Sequence, residues 1–258
     1  MKLKKYIIIT VIIIEFLIII TGFVHFKKQP SILVIDIFGD LVGPDYPYND
    51  TTIISAQSII DILNEYEKKN YIKGFILNID STGGDTTGST ILTEKIQSMK
   101  KPVIAVISEN ALSGGYEVAT STKRIFANEL SNIADIGITQ IVGYKLNNDY
   151  RECHISTSNI KIMYYDDCPG LNPTYYQEDK LTLFKEKEKM VNDIARFRNL
   201  SNSYLNEYSD GTIFKGNEAL TLKLIDEIGG IHEAKDWLEN ELGVKLEIVY
   251  FREVDRNE

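Results

Sequence analysis

The sequence predicts an α/β domain with a mainly parallel sheet and flanking helices, preceded by one N-terminal transmembrane helix. Residues 31–38, 73–79 and 102–108 are apolar almost throughout. Such runs are typical of parallel strands that are buried on both faces. Residues 53–69 and 89–99 carry apolar side chains at helical spacing and separate these strands. Strands alternating with helices favour a parallel sheet that is covered by helices on both sides.

The N-terminal segment has the length and composition of a membrane span. Residues 6–26 are dominated by isoleucine, with only Glu15 and His25 ionisable. A bilayer core needs about 20 apolar residues in a helix, and the small-residue exit of a cleaved signal peptide is missing. We therefore expect an uncleaved anchor in residues 1–28. Residues 29–258 would then form one domain on the extracytoplasmic side of the cell membrane. Glu15 is either a contact for a partner helix or a tolerated protonated carboxyl.

The remaining elements follow from shorter patterns. Short strands are expected at residues 124–127, 133–138, 159–165 and 246–251, a long solvated helix at 173–200, and short helices at 215–222 and 231–242. No repeat or low-complexity tract interrupts the sequence, so a single core is expected.

Composition excludes several kinds of function. A net charge of −9 argues against a nucleic-acid partner, because phosphate binding needs clustered lysine and arginine. Two cysteines, Cys153 and Cys168, are too few for a disulfide framework. They either pair with each other or stay as separate thiols. With His154 they lack the paired spacing of a zinc site, so neither a metal nor a cofactor is expected.

Two glycine-rich loops follow apolar strands, at residues 80–85 (DSTGGD) and 110–116 (NALSGGY). In open α/β sheets, ligands bind beyond the carboxyl ends of the strands. Ser113 stands at the predicted start of a short helix, where unpaired N–H groups and the helix dipole favour developing negative charge. Gly83 and Gly84 could present N–H groups to an oxyanion. The alternative is structural: Ser113 as a helix N-cap and the glycines as turn residues.

Four segments together resemble the signal peptide peptidase A (protease IV) family, which belongs to the Clp protease and crotonase fold group. The family's N-S-P-G-G strand end resembles GFILNIDSTGG, with Thr82 in place of proline. Its A-S-G-G-Y nucleophile segment resembles ALSGGY, and its G-S-I-G-V segment resembles ADIGI, with Asp135 in place of serine. Its closing segment resembles residues 210–234, DGTIFKGNEALTLKLIDEIGGIHEA.

The resemblance implies a membrane serine peptidase that acts on short hydrophobic peptides such as released signal peptides. It implies Ser113 as the nucleophile and Gly83 and Gly84 as oxyanion-hole donors. It also implies a homo-oligomer, or a mixed assembly in which a second subunit completes the site. The general base in this family is a lysine, which can accept the serine proton when burial lowers its pKa.

The lysine is missing from its expected place. Residues 163–173 (MYYDDCPGLNP) contain none. Lys145 has a suitable local sequence, Gly-Tyr-Lys, but precedes the expected strand. It is the candidate base, with Lys161 and Lys180 as further candidates. His154 and His232 do not match the position of a histidine base in Clp proteases.

Two other functions remain open. A degenerate family member would bind peptides or act as a scaffold without proteolysis. An acyl-CoA hydratase-type enzyme would share the fold, but the anchor and the lack of a basic CoA-binding stretch count against it.

Overall fold

The computed structural model describes residue 15 and residues 28–44, 53–146, 149–157 and 173–251, with the backbone alone at 141–155 and 173–180. The predicted anchor, apart from Glu15 and Lys28, and the predicted strand at 159–165 lie outside these ranges. Among the described residues, no helix is both long enough and apolar enough to cross a membrane.

The described chain alternates strands and helices along most of its length. The strands are β1 (Ser31–Phe38), β2 (Asp40–Val42), β3 (Ile53–Ser55), β4 (Ile72–Ser81), β5 (Val103–Leu112), β6 (Ile125–Ala127), β7 (Asn132–Ala134), β8 (Thr139–Leu146), β9 (Asp149–Ser156), β10 (Ile213–Lys215), β11 (Glu227–Ile228) and β12 (Glu247–Tyr250). The helices are α1 (Ala56–Glu67), α2 (Thr86–Ser98), α3 (Gly114–Thr120), α4 (Pro173–Arg198), α5 (Asn202–Asn206), α6 (Gly216–Thr221) and α7 (Ile231–Leu242).

The main sheet confirms the predicted mainly parallel α/β fold. Its described strands run in the order β10-β7-β5-β4-β1-β12, and β6 and β11 extend it beside β5. Every pairing in it is parallel except that of β10 with β7. The central strands are mainly apolar, and their apolar side chains are buried in hydrophobic clusters on both faces of the sheet. Two smaller units accompany it: a parallel pair of β2 with β3, and an antiparallel hairpin of β8 with β9.

Strand β5 pairs with two different short strands along its length. Its first half pairs with β6 through Ala105 to Ile107, and its last residues pair with β7 through Asn110 to Leu112. The chain therefore leaves the sheet between β4 and β7. Ser113, which follows β5 directly, lies at the carboxyl end of the central strands.

Several predicted boundaries were wrong for identifiable reasons. Residues 53–55 form β3, and the helix predicted from 53 begins at Ala56, after Ser55 caps it. Helix α2 begins at Thr86, three residues before the prediction, because the Asp85 side chain accepts a hydrogen bond from the Gly88 amide. The strand predicted for 133–138 ends at Ala134, where positive φ angles at Ala134 and Asp135 turn the chain.

Candidate active site

Ser113 occupies a strained turn between β5 and α3. Its φ of 51° and ψ of −122° lie where side chains other than glycine are rarely found. The backbone fixes this turn, since the Ser113 amide donates to the Ala134 carbonyl (2.8 Å) and its carbonyl accepts from the Tyr116 and Glu117 amides (3.0 Å each). The hydroxyl makes no capping hydrogen bond to the helix. It donates instead to the Gly137 carbonyl at 3.2 Å. Ser113 therefore stands at the N-cap position, as the structural alternative predicted, but its side chain does not cap the helix.

The glycines around Ser113 allow three backbone segments to approach one another. A Cβ at Gly83 would lie 3.0 Å from the Ser113 Cβ, and one at Gly115 would lie 3.0 Å from the Ser81 carbonyl oxygen. Both distances are shorter than ordinary van der Waals contacts between side chains. The Gly-Gly pairs of the two predicted loops are thus brought together, as expected for loops at neighbouring strand ends.

Gly83 and Gly84 differ in what their amides do. Strand β2 holds the loop, with the Leu41 amide donating to the Gly83 carbonyl (2.7 Å) and the Asp85 amide to the Leu41 carbonyl (2.8 Å). The Gly83 amide donates to the Ser81 hydroxyl at 3.3 Å. In the described part of the chain, the Gly84 amide has no acceptor, so it remains able to donate to a ligand.

Gly114 is a site residue that the sequence interpretation missed. It is the first residue of α3, and its amide has no acceptor among the described residues. A signal for it exists in the sequence, because the first residues of any helix have no intrahelical acceptor. A Cβ placed on Gly83 would lie 3.4 Å from the Gly114 nitrogen, so the two loops meet beside this amide.

Ser113 opens on a cavity of about 700 Å³, which Gly84 and Gly114 also line. Helix α4 and residues 137–140 form its other walls. The charged side chains that line it are carboxylates, those of Asp40, Asp85, Glu117 and Glu186. No lysine, arginine or histidine side chain lines the cavity within the described residues.

Glu117 is the buried carboxyl of this cavity. It lies one turn after Ser113 on α3, and only 5% of it is exposed. One carboxylate oxygen accepts from the Ser89 hydroxyl at 2.9 Å. Burial raises the pKa of Glu117, and the Ser89 hydrogen bond and the charge of Lys189 oppose that effect.

The candidate base residues fall in parts of the chain whose side chains lie outside the described residues. Lys145 lies on β8 opposite Tyr150 of β9, but its side chain lies outside the described residues. The same is true of the side chain of Lys180, on α4, and of all of Lys161. Sequence interpretation did not consider Lys187 on α4. Burial lowers the pKa of Lys187, which the nearby Asp210 carboxylate opposes. Its ammonium donates to the Thr157 carbonyl at 3.4 Å, outside the cavity lining.

The other residues singled out from sequence lie elsewhere or are structural. Asp135 is buried, and its amide donates to the Thr212 carbonyl, which ties the chain after β7 to β10. His232 lines a separate cavity that does not include Ser113. The side chains of Cys153 and His154, and all of Cys168, lie outside the described residues. Within those residues, no group of three or more potential ligands could hold a metal ion.

The sequence places this fold and serine in a known family. Residues 95–245 match the model of peptidase family S49, which is more than half of the chain. The chain therefore belongs to peptidase family S49, whose peptidases are serine proteases. This confirms the predicted resemblance to signal peptide peptidase A.

Relatives with assigned names are similar at modest identity. A putative protease of Methanocaldococcus jannaschii is 28% identical over 194 residues, covering 71% of this chain and 61% of the relative. A putative signal peptide peptidase SppA of Enterococcus faecium is 26% identical over 192 residues, covering 72% and 56%. The chloroplastic serine protease SPPA of Arabidopsis thaliana is 28% identical over 191 residues, covering 71% and 28%. The chain spans less than two thirds of the length of each of these relatives.

A solved structure shares the fold. The 1510-N membrane-bound stomatin-specific protease, determined as a mutant, superposes with a TM-score of 0.54 at 15% identity, covering 87% of this chain and 98% of that one. At this identity the likeness concerns the fold alone.

Proposed function

We propose that this chain is a membrane-anchored serine peptidase of the Clp protease and crotonase fold group, which cleaves short hydrophobic peptides such as released signal peptides. One observation carries the proposal. Ser113 is held in a strained turn, and its hydroxyl is not used to cap the helix. It opens on a cavity beside two amides that have no acceptor among the described residues. Strain of this kind costs about 1–3 kcal/mol and is concentrated at functional sites.

The geometry supports acyl transfer in two steps. The Ser113 hydroxyl turns from the Gly137 carbonyl, loses its proton to a general base, and its oxygen attacks the peptide carbonyl carbon. The amides of Gly84 and Gly114 stabilise the oxyanion that forms. The intermediate collapses, the C–N bond breaks, and the leaving amine takes the proton from the base. Water then hydrolyses the acyl-enzyme by the same sequence. In this assignment Gly83 shapes the loop, and its amide stays with Ser81.

The base in this proposal is a lysine from the part of the chain whose side chains are not described. Lys145 remains the first candidate, because β8 continues from residues 137–140 of the cavity wall. Lys161 and Lys180 are the other candidates, and a lysine from a second subunit of a homo-oligomer or mixed assembly is a further source. A lysine serves as a base only when it is neutral, which requires a desolvated position.

A second candidate function is peptide binding without hydrolysis. It is favoured by the described cavity lining, which holds four carboxylates and no lysine or histidine side chain. Such a protein would bind the peptides that an active relative cleaves, and the two functions differ only in whether Ser113 is activated.

Labelling of the full-length protein with a fluorophosphonate probe tests the proposal. We expect labelling of the wild type that is lost in Ser113→Ala and retained in Ser98→Ala, because Ser98 is an exposed serine at the end of α2. Lys145→Ala, Lys161→Ala and Lys180→Ala, made one at a time, then identify the base by loss of labelling. Equal labelling of the wild type and Ser113→Ala, in protein shown to be folded, would refute the peptidase and leave peptide binding.

The membrane location is tested separately. We expect the full-length protein to need detergent for extraction and its C-terminal domain to be accessible from the extracytoplasmic side. Full recovery in a detergent-free soluble fraction would contradict the anchor.

A further inference from the structure

The cavity of Ser113 has an unusual charge for a site that binds apolar peptides. Of its four carboxylates, two are engaged in the fold: Asp85 accepts from the Gly43 and Gly88 amides, and Asp40 accepts from the Thr82 hydroxyl. Glu117 and Glu186 have no comparable role. Glu186 makes no hydrogen bond to a described residue, and Glu117 uses only one of its oxygens, toward Ser89.

Glu117 is placed where a ligand would need to reach it. It lines both the 700 Å³ cavity and an adjoining one of about 310 Å³. Five residues line both: Thr86, Glu117, Ile138, Glu186 and Met190. The smaller cavity is therefore an extension of the larger one, of a size that suits one long side chain, and Glu117 stands between the two.

The walls of the extension fit an aliphatic chain that ends in a donor. Ile91, Ile138 and Met190 supply apolar surface, and threonine hydroxyls supply polar groups. Its one described cation, Lys189, is held by Asp193 at 2.9 Å, on an exposed part of α4. The second oxygen of the buried Glu117 carboxyl has no protein donor among the described residues. A buried carboxyl in this state is stabilised by a cation that hydrogen-bonds to it.

We infer that the extension is a specificity subsite in which the Glu117 carboxylate, assisted by Glu186, binds a lysine or arginine side chain of the peptide. The inference rests on the proposed function, since it describes the peptide that reaches Ser113. The peptide is then apolar with one basic residue near the scissile bond. Glu117 acts here on recognition, and it takes no part in proton transfer at Ser113.

Peptide binding tests this subsite without requiring turnover. The probes are fluorescein-labelled apolar peptides that carry lysine, norleucine or glutamate at one scanned position, with fluorescence anisotropy as the readout and full-length Ser113→Ala as the receptor. We expect the best lysine peptide to bind about 10- to 100-fold more tightly than its norleucine counterpart, as one charge-assisted hydrogen bond would give, and the glutamate peptide to bind most weakly.

Two further variants locate the effect. Added to Ser113→Ala, Glu117→Gln keeps the shape and an acceptor for Ser89, and it should reduce the lysine preference to about one. Glu188→Gln is the matched control, because Glu188 is exposed on α4 and lines neither cavity. It should leave the preference unchanged.

The outcomes separate this inference from the proposed function. Fluorophosphonate labelling of Ser113 with no lysine preference at any position would overturn the subsite and leave the peptidase intact. A lysine preference that depends on Glu117, in a protein whose Ser113 does not label, would support the subsite and overturn the peptidase. A preference that survives Glu117→Gln, or an absence of binding by all three peptides, would overturn the subsite.

Discussion

Gly84→Ala tests whether the second glycine of the oxyanion loop is required by geometry. The φ of Gly84 is +137°, and an added Cβ would lie 2.6 Å from both the backbone nitrogen and the carbonyl carbon of Leu41. The Leu41 carbonyl oxygen would lie closer still to the added Cβ. Optimal contacts between such atoms lie near 3.5–4.0 Å, so the loop must move by more than about 1 Å away from β2. The movement breaks the hydrogen bonds by which Leu41 holds Gly83 and Asp85.

The loss of stability in Gly84→Ala has two parts, backbone strain and lost hydrogen bonds. Backbone strain contributes about 1–3 kcal/mol, and each of the two lost hydrogen bonds about 1 kcal/mol. We therefore expect Gly84→Ala to lower the free energy of unfolding by about 3–5 kcal/mol in urea titrations followed by circular dichroism. Gly243→Ala is the matched control: its φ is +65°, and nothing lies within 4 Å of an added Cβ. It should cost only the strain, about 1–2 kcal/mol. Equal losses in the two variants would refute the reasoning that contact with β2 fixes this loop.

Two further predictions concern Ser113 and Glu117, and a third concerns the ion pair of Arg198 with Asp226. In urea titrations, the free energy of unfolding of Ser113→Gly should be about 1 kcal/mol higher than that of Ser113→Ala, because glycine adopts this φ without strain. Equal free energies of unfolding in the two variants would argue against strain at Ser113. Burial raises the pKa of Glu117 above its ordinary 4.5, so its neutral form stabilises the fold below pH 4.5, and that contribution is lost as pH rises through the raised value. In thermal unfolding, the stability of the wild type relative to Glu117→Gln should then fall as pH rises. Melting temperatures of the two proteins that change in parallel with pH would contradict this. Asp226→Ala leaves the Arg198 side chain, only 8% exposed, with the Lys223 carbonyl as an acceptor but without its carboxylate, and should cost about 3–5 kcal/mol. Asp193→Ala, whose partners are exposed, should cost less than about 1 kcal/mol, and similar losses would refute a buried pair.

The order of elements was predictable where one local signal decides the structure. Residues 31–38 and 231–242 fall within the bounds that the structure gives to β1 and α7. An apolar run between polar residues is enough for a buried strand, and a helical period followed by glycine is enough for a surface helix. The boundaries of α2 were not predictable in this way, because Asp85 both ends the glycine loop and caps the helix.

Weak local signals and long-range pairing account for the elements that were missed. The hairpin of β8 and β9 lacks an Asn-Gly or Asp-Gly turn, which is the strongest local signal for a hairpin. Strand β10 has only three residues, and it exists because Phe214 pairs with Ile133 of β7, far away in sequence. Short strands of this kind depend on their partners more than on their own propensity.

The backbone part of the site was more predictable than the side-chain part. Parallel strands β4 and β5 end at the same edge, so the loops that carry Gly84 and Ser113 had to meet there. Glu117 gave no such signal. A glutamate three residues after the first residue of a helix ordinarily lies in solvent. Its burial follows from the packing of α2 and α4 on α3, which brings Ser89 within hydrogen-bonding distance.

The backbone strain at Ser113 helps to decide between the peptidase and a protein that only binds peptides. Glycine at this position would remove the strain, because glycine adopts a positive φ without steric cost. A protein that only binds peptides through its cavity gains nothing from the hydroxyl, which donates a single hydrogen bond to Gly137. Strain that a one-residue change would relieve is best explained by a function of the hydroxyl itself. The peptidase is therefore the stronger of the two proposals. In that case the carboxylates of the cavity determine which peptides Ser113 cleaves, and they are not a sign that Ser113 is inactive.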